Sequence, residues 1–267
     1  MAKGSVYLKS KEEIEVIRAN GEILGKAHAE VAKALEEGVK TSRLDQIAEE
    51  YIRDNQAVPS FKGYGGFPSS LCISVNEVVV HGFPSNRVLK NGDIISIDCG
   101  VYKDGFHADS AYTYAIGEIT DDVKSLLKAT KESLYQGIEK VRPGNRIGDL
   151  SHAVQSYNEE RGYGIVRELV GHGVGKALHE APEVPNFGRR GNGPRMKAGM
   201  VIAIEPMVTL GKRFVLQEQD GWTIRTEDKS YAAHYEHTVV VTSSGYDILT
   251  TFEYLEKVLD DKKMFYV

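Results

Sequence analysis

The chain has 267 residues, of which 41% are hydrophobic and 27% are charged, and its formal net charge is -5 at pH 7. This composition is typical of a globular protein and gives no basic surface, so we expect neither nucleic acid nor a membrane as a partner. The cysteines, Cys72 and Cys99, fit a reducing compartment rather than a disulfide framework. The sequence shows no signal peptide and no membrane span, which predicts a soluble cytoplasmic protein.

Two amphipathic helices are predicted in the N-terminal part of the chain. Apolar residues recur at helical spacing over 10–35, Gly38 is a suitable stop, and Ser42 opens a second helix. A loop rich in glycine, proline and aromatic residues follows over 59–70. Strands are then predicted over 71–76, 78–81 and 94–98.

The segment GDIISIDCGVYKDGFHADSAY places two aspartates in extended runs. Asp98 ends an isoleucine-rich strand, and Asp109 follows an Asp-Gly turn. With a two-residue turn, Asp98 lies opposite Ala111, and Asp109 becomes a diagonal neighbour on the same face, about 7–8 Å away by Cα. Two carboxylates at this distance repel each other, which indicates a divalent cation between them.

The second half of the chain repeats the first. A helix from Asp121, ending before a Pro-Gly pair, and a second helix around Leu150 precede motifs that match earlier ones in the same order. EVVVHGFP resembles ELVGHGVG, and KNGDIISID resembles KAGMVIAIE, which aligns Asp98 with Glu205. We therefore predict one catalytic domain over 1–267 with an internal duplication of about 10–115 and 121–250.

Five residues form a candidate metal centre: Asp98, Asp109, His172, Glu205 and Glu236. Four carboxylates and one histidine exceed the usual shell of one zinc ion and suit two metals about 3.5–4 Å apart. The last of them lies in YEHTVVVT, predicted as a strand. Any one acid taken alone could be a turn or strand-end group in water, but the matched positions of Asp98 and Glu205 favour a metal site.

The histidines divide into two groups. His81, His172 and His179 could each be a core histidine, but their glycine neighbours and the duplicated setting favour a functional role. The others are interpreted as structural or supporting residues, and two of them flank Glu236 and are expected to orient it. This second group comprises His28, His107, His152, His234 and His237.

The motifs NEVVVHGFP, IDCGVYKDGFHADSA, GHGVGKALHE, IEPM and DGWTIRTEDKSYAAHYEHTVVVT together resemble type I methionine aminopeptidase in its short bacterial form. The resemblance implies the pita-bread α/β fold (α+β), with two pseudo-symmetric halves of helices packed on antiparallel-rich sheet. It implies hydrolytic removal of N-terminal methionine before a small second residue, by a hydroxide bound to two metals.

The same resemblance assigns catalytic roles. Asp98 and Asp109 would hold one metal, and Asp109, His172, Glu205 and Glu236 the other. Glu205 would carry a proton to the leaving amine, His179 would stabilise the oxyanion, and His81 would contact the scissile nitrogen or the adjoining backbone. The two divalent ions would be cobalt, manganese, iron or zinc, and oxygen-rich ligation favours manganese or ferrous iron.

Substrate-binding positions follow from the family pattern. Leu178 stands where a phenylalanine is usual, Phe61 where a smaller residue is common, and Gly100 where some members have a hydroxyl residue. The resemblance also implies a sodium or potassium site on the carbonyls of Asn76, Val78 and Ala232. The expected substrate-binding residues are Phe61, Tyr64, Phe67, Cys72, His81, Leu178, His179 and Trp222.

The expected partners are the N-termini of nascent polypeptides, with the ribosome as a further partner, and the expected oligomeric state is a monomer. Two alternative functions remain open at this point. A proline-specific peptidase of the same fold would usually carry a large N-terminal domain, for which the early first helix leaves no room. A metal-free binding protein of the same fold would be expected to have lost ligands, whereas all five candidates are present.

Overall fold

The computed structural model describes residues 5–267, which form five helices and four antiparallel sheets. The helices are α1 Lys11–Ala34, α2 Thr41–Asp54, α3 Asp121–Ile138, α4 Ile147–Glu159 and α5 Glu253–Asp261. The strands are β1 Val58–Pro59, β2 Leu71–Val75, β3 Val78–Val80, β4 Ile94–Lys103, β5 Phe106–Ala115, β6 Gly164–Ile165, β7 Gly171–Gly173, β8 Glu180–Val184, β9 Val201–Ile204, β10 Met207–Thr209, β11 Val215–Gln217, β12 Ile224–Thr226, β13 Ala232–His234, β14 His237–Val241 and β15 Tyr246–Ile248.

The first helix begins where the sequence predicts. The Ser10 hydroxyl accepts the Glu13 backbone N–H at 3.3 Å, and the Glu13 carboxylate accepts the Ser10 N–H at 2.9 Å. This capping box satisfies two backbone donors that the first helical turn leaves free. The face of α1 that carries Ile17, Leu24 and Val31 is buried against the sheet and against α5.

The β4–β5 hairpin has the predicted turn and register. Asp104 and Gly105 both adopt positive φ, at 51° and 85°, as a tight two-residue hairpin turn requires. Asp98 pairs with Ala111, and Asp109 pairs with Gly100, two residues farther along β4. This register confirms that Asp98 and Asp109 are diagonal neighbours. Strand β4 continues to Lys103 instead of ending at residue 98, because it pairs with β5 along its whole length.

The β4–β5 hairpin is joined to the C-terminal part of the chain by hydrogen bonds beside two of the predicted ligands. The Asp109 N–H donates to Thr238 Oγ1 at 3.1 Å, and that hydroxyl lies 2.8 Å from the Asp109 carbonyl oxygen. Ser110 Oγ donates to the Glu236 carbonyl at 3.0 Å, and the Glu236 N–H donates to the Ala111 carbonyl at 2.9 Å. Residues from distant parts of the sequence are thereby fixed against each other.

The predicted strand over 235–242 begins later than expected, at His237. Tyr235 and Glu236 form a two-residue interruption between β13 and β14 because their polar groups bond to β5.

The predicted mixed α/β fold is confirmed, and two helices precede most of the strands in each half. The duplication itself stays a prediction. No helix in residues 5–267 has the length and apolarity needed to cross a membrane.

Candidate active site

The five predicted metal ligands come from different elements that meet at one place. Asp98 lies on β4, Asp109 on β5 and His172 on β7, while Glu205 directly follows β9 and Glu236 directly precedes β14. All five line one cavity of about 610 Å³. The fold therefore brings together residues that are up to 138 positions apart in the sequence, from 98 to 236.

The distances within this cluster suit a shared cation. One ligand atom from each of Asp109, His172 and Glu236 lies within 4.8 Å of the other two. His172 Nε2 is 3.8 Å from Asp109 Oδ2 and 3.6 Å from Glu205 Oε1. These separations exceed hydrogen-bond distance, and a cation between the atoms would bring each within coordination distance.

The orientation of His172 strengthens this interpretation. Its Nδ1 lies 2.9 Å from the Gly173 carbonyl oxygen, which can only accept, so Nδ1 carries the proton. Burial lowers the pKa of His172 to about 3, so the ring is neutral and Nε2 presents a lone pair. That lone pair faces the oxygens of Asp109 and Glu205, an arrangement that a bound cation would stabilise.

Three of the carboxylates each have a buried oxygen without a hydrogen-bond partner within the described residues. Asp98 Oδ1, Asp109 Oδ1 and Glu236 Oε1 are buried and accept no hydrogen bond from residues 5–267. The pKa values of Asp98, Glu205 and Glu236 are raised well above their usual range. Burial is the largest cause, and repulsion from neighbouring acids is the next. Burial also raises the pKa of Asp109 to about 7. Divalent cations would neutralise this charge, so the donor set fits metal ions.

Two histidines near Glu236 behave differently from the sequence-based expectation. His234 Nε2 is buried and lies 3.7 Å from Glu205 Oε2. His237 instead has Nδ1 2.7 Å from Thr250 Oγ1, and its ring stacks on a phenylalanine of the core. Within the described residues neither ring makes a hydrogen bond or ion pair with the Glu236 carboxylate, so the expectation that they orient it is wrong.

One end of the cavity is apolar. Phe67 stacks on Phe83 and meets Trp222 edge-on, with ring centroids 5.2 Å apart in both pairs. These rings pack with further apolar residues at the same end, and all of the predicted substrate-binding residues line the cavity. The buried members of this apolar end are Phe61, Phe67, Cys72 and Leu178.

Three departures from the family pattern lie together here. A Cβ atom at Gly100 would be 2.9 Å from Phe61 Cε1 and 2.7 Å from Ser60 Cβ, closer than real contacts allow. Phe61 therefore occupies space that a side chain at position 100 would need. Because Phe61 and Leu178 belong to the same apolar cluster, the three positions define one wall of the cavity.

The predicted catalytic histidines border the metal cluster. The His179 ring contacts the His172 ring edge-on at 4.2 Å between centroids, and its Nδ1 lies 2.7 Å from the Tyr64 hydroxyl. Burial lowers the pKa of His179, and it lowers that of His81 to about 4. His81 has a φ of 59°, a left-handed conformation that is uncommon for a residue other than glycine and is often found at functional sites.

Sequence analysis missed several residues that line the cavity. Glu180 lies next to His179 and forms a 2.6 Å ion pair with Lys9, whose side chain is 1% exposed. Nothing in the sequence connects these two positions, because 171 residues separate them. Other missed lining residues, which adjoin recognised motifs and could have been found by extending those motifs, are Val80, Glu168, Leu169, Val170, Glu183 and Met207.

Comparison with known proteins assigns the chain to a family. Residues 15–243 match the model of metallopeptidase family M24, so the chain belongs to that family. It is 51% identical over 245 residues to methionine aminopeptidase 1 of Bacillus subtilis, covering 92% of this chain and 99% of that protein.

Solved structures confirm the pita-bread fold of this family. The methionine aminopeptidase of Thermotoga maritima superposes with a TM-score of 0.91 at 41% identity, covering 92% of this chain and all of that one. The prolidase of Pyrococcus horikoshii superposes with a TM-score of 0.76 at 25% identity, and the match covers 91% of this chain but 63% of that one.

Proposed function

We propose that this chain is a metal-dependent aminopeptidase that removes the N-terminal methionine of polypeptides. The observation that carries the proposal is one cavity with a cluster of carboxylates, three of which have a buried oxygen without a hydrogen-bond partner among residues 5–267, beside an apolar end. The methionine aminopeptidase relatives at 51% and 41% identity support the same activity.

The proposed metal ligands are the five residues of the cluster. Asp98, Asp109 and Glu236 would hold one divalent cation, and Asp109, His172, Glu205 and Glu236 a second, so that Asp109 and Glu236 would be shared by both. Bound cations would offset the carboxylate charge, orient the free α-amine of the substrate and lower the pKa of a water molecule. Oxygen-rich ligation favours manganese or ferrous iron over cobalt or zinc.

The remaining catalytic roles belong to side chains that border this cluster. Glu205, whose pKa is raised by burial, would transfer a proton to the leaving amine. His179 would donate from Nε2 to the oxyanion of the scissile carbonyl, because its Nδ1 is engaged by Tyr64. His81 would contact the scissile nitrogen or the backbone beside it.

Methionine fits the apolar end of the cavity. Its unbranched thioether side chain adapts to an irregular wall such as that formed by Phe61, Phe67 and Leu178. A small second residue is proposed from the resemblance to type I methionine aminopeptidase. Nascent polypeptides are the proposed substrates, while the cytoplasmic location, monomeric state, ribosome contact and monovalent-ion site stay predictions.

Hydrolysis of Met-Ala-Ser and Ala-Pro-Ala, after reconstitution with each candidate metal, tests this function. We expect release of methionine from Met-Ala-Ser, loss of turnover with a chelator, and recovery with manganese, cobalt or ferrous iron. Turnover by a demonstrably metal-free preparation would contradict the proposal. Preferential cleavage of Ala-Pro-Ala would favour the proline-specific activity of the prolidase relative.

A further inference from the structure

Glu183 occupies a position at the rim of the catalytic cavity. It pairs directly with His172 across the β7–β8 ladder, and side chains at directly opposed positions lie on the same face about 4.5–5.5 Å apart by Cβ. Its side chain is exposed and forms no ion pair within residues 5–267. A free carboxylate therefore lies beside a metal ligand, at the point where the cavity opens.

A second and larger cavity begins at the same residue. This cavity, here called the α4 groove, has a volume of about 1240 Å³ and includes Glu183 in its lining. One wall is α4, with His152, Gln155 and Ser156 facing the groove, and the other is the segment after β8 that carries Phe187. Glu183 also lines the catalytic cavity, so the two spaces adjoin at this residue.

The charges along the groove change sign with distance from the catalytic cavity. Glu183 marks the near end. Arg189 and Arg190 line the groove but not the catalytic cavity, are exposed, and form no ion pair within 4.0 Å among the described residues. The pKa of Asp149 is lowered first by backbone hydrogen bonds, and the charge of nearby Arg190 is among the smaller causes. Arg167 is already paired with Glu159 at 3.2 Å. The groove thus offers a free acid near the catalytic cavity and two free bases farther away.

We infer that the α4 groove binds the substrate polypeptide beyond its second residue, with Glu183 facing the third residue. The inference rests on the proposed aminopeptidase function. With the methionine side chain in the apolar end, the rest of the polypeptide leaves on another side, and Glu183, which is exposed and outside the apolar cluster, marks a side that is open to solvent. An extended chain advances about 3.3–3.6 Å per residue. Counted from the first residue at the proposed metal ligands, the third residue therefore lies near Glu183, which pairs with His172.

This arrangement predicts selectivity that the catalytic cavity alone does not supply. A basic third residue is favoured by Glu183, and an acidic residue farther along by Arg189 and Arg190. Exposed ion pairs are weak, so each contributes about two- to fivefold in kcat/KM. Contacts along the groove also favour longer peptides. These contacts are remote from the reacting bond and are equally strong before and during the reaction, so they lower KM and leave kcat unchanged.

Peptide length provides the first test. We compare Met-Ala-Ser with Met-Ala-Ser-Ser-Ser-Glu-Ser-Ser at saturating metal, and expect kcat/KM to be about two- to tenfold higher for the octapeptide. Ser156→Trp, which fills the groove, should reduce the octapeptide-to-tripeptide ratio to about one. Glu160→Trp is the matched control, because this exposed residue follows α4 but does not line the groove, and it should keep the wild-type ratio.

Charge reversal provides the second test and does not depend on how the tryptophan variant folds. Wild-type enzyme should prefer Met-Ala-Lys-Ser over Met-Ala-Glu-Ser by about two- to fivefold, Glu183→Gln should abolish this preference, and Glu183→Lys should reverse it. Equal length ratios in Ser156→Trp and wild type, or an unchanged lysine preference in Glu183→Lys, would overturn the inference. Failure of the wild type on every methionyl peptide would instead overturn the proposed function on which it rests.

Discussion

The hydroxyl of Tyr64 lies 2.7 Å from Nδ1 of His179. Burial lowers the pKa of His179, which favours the neutral ring. The proposed oxyanion role requires the proton of that ring on Nε2, and in this tautomer the phenol donates to Nδ1. Tyr64 belongs to a short turn in which Gly63, Gly65 and Gly66 all adopt positive φ, which glycine tolerates without strain. The loop is therefore shaped to hold a phenol against the proposed oxyanion donor.

Tyr64→Phe should reduce kcat by roughly three- to tenfold, since it removes one hydrogen bond but keeps the ring contact. His179→Ala should reduce kcat more, by about 10²–10³-fold, as for loss of one oxyanion donor. Metal content should be unchanged in both variants. Steady-state kinetics and elemental analysis provide the measurements. A His179→Ala enzyme that loses metal and regains normal kcat with excess metal would make His179 a ligand.

Glu236→Ala should lose both metal and activity, because it removes a carboxylate that is proposed to bridge two cations. Bound metal should raise the melting temperature of the wild type, since ligands that bind only the folded state stabilise it. Elemental analysis and thermal unfolding with and without chelator test both points. Glu37→Ala, at an exposed acid outside the cavity, is the control. Wild-type metal content in Glu236→Ala would rule out the assignment.

Leu178→Phe should raise KM for Met-Ala-Ser, because adding volume to a packed wall costs about 1–3 kcal/mol. Combining it with Phe61→Cys should recover much of the loss, since both side chains belong to one apolar cluster. A double-mutant cycle in kcat/KM at saturating metal measures the coupling. Simple additivity would show that the two side chains do not share a wall.

Gly100→Ala should also affect methionine binding. The added Cβ would lie 2.7 Å from Ser60 Cβ and 2.9 Å from Phe61 Cε1, so both side chains must shift. We expect KM to rise with little change in kcat, and Gly100→Ala combined with Phe61→Cys to recover only part of the loss, because the contact with Ser60 remains. A KM equal to that of the wild type in Gly100→Ala would show that the ring has room to move elsewhere.

His28 should make stability depend on pH. It is buried, its Nε2 lies 3.1 Å from the Ser110 carbonyl oxygen, and burial lowers its pKa from 6.5 to about 4. A lowered histidine pKa contributes stability that is present above about pH 6.5 and is lost as pH falls toward 4, because the unfolded state gains the proton first. The loss amounts to up to about 3 kcal/mol. Chemical unfolding of His28→Gln and wild type between pH 7 and 4 tests this, and parallel curves would contradict it.

The sequence predicts the elements whose signals are local. The helical spacing of apolar residues locates α1, and the Asp-Gly turn gives the register that places Asp98 opposite Ala111. These features depend on residues within a few positions of one another. The five predicted ligands line one cavity, as the sequence analysis expects.

The features that sequence analysis missed depend on contacts between distant residues. Strand β14 begins late because the Glu236 backbone pairs with Ala111. His237 is directed to Thr250, and Lys9 reaches Glu180 across 171 positions. The α4 groove forms between α4 and the segment after β8, which are separate in the sequence. The residues that line the groove have the composition of an ordinary protein surface, so no sequence pattern indicates it.

The hydrogen bonds that join Asp109 to Thr238 and Ser110 to Glu236 have a consequence for the ligand-bound protein. Asp109 and Glu236, the two residues proposed to bridge the cations, lie on opposite sides of this contact between the N-terminal and C-terminal parts of the chain. Opening the contact would separate their carboxylates, so a partly opened molecule would lose the proposed cations. Metal content would then report whether the contact is closed, and bound cations would link the two parts of the chain reversibly.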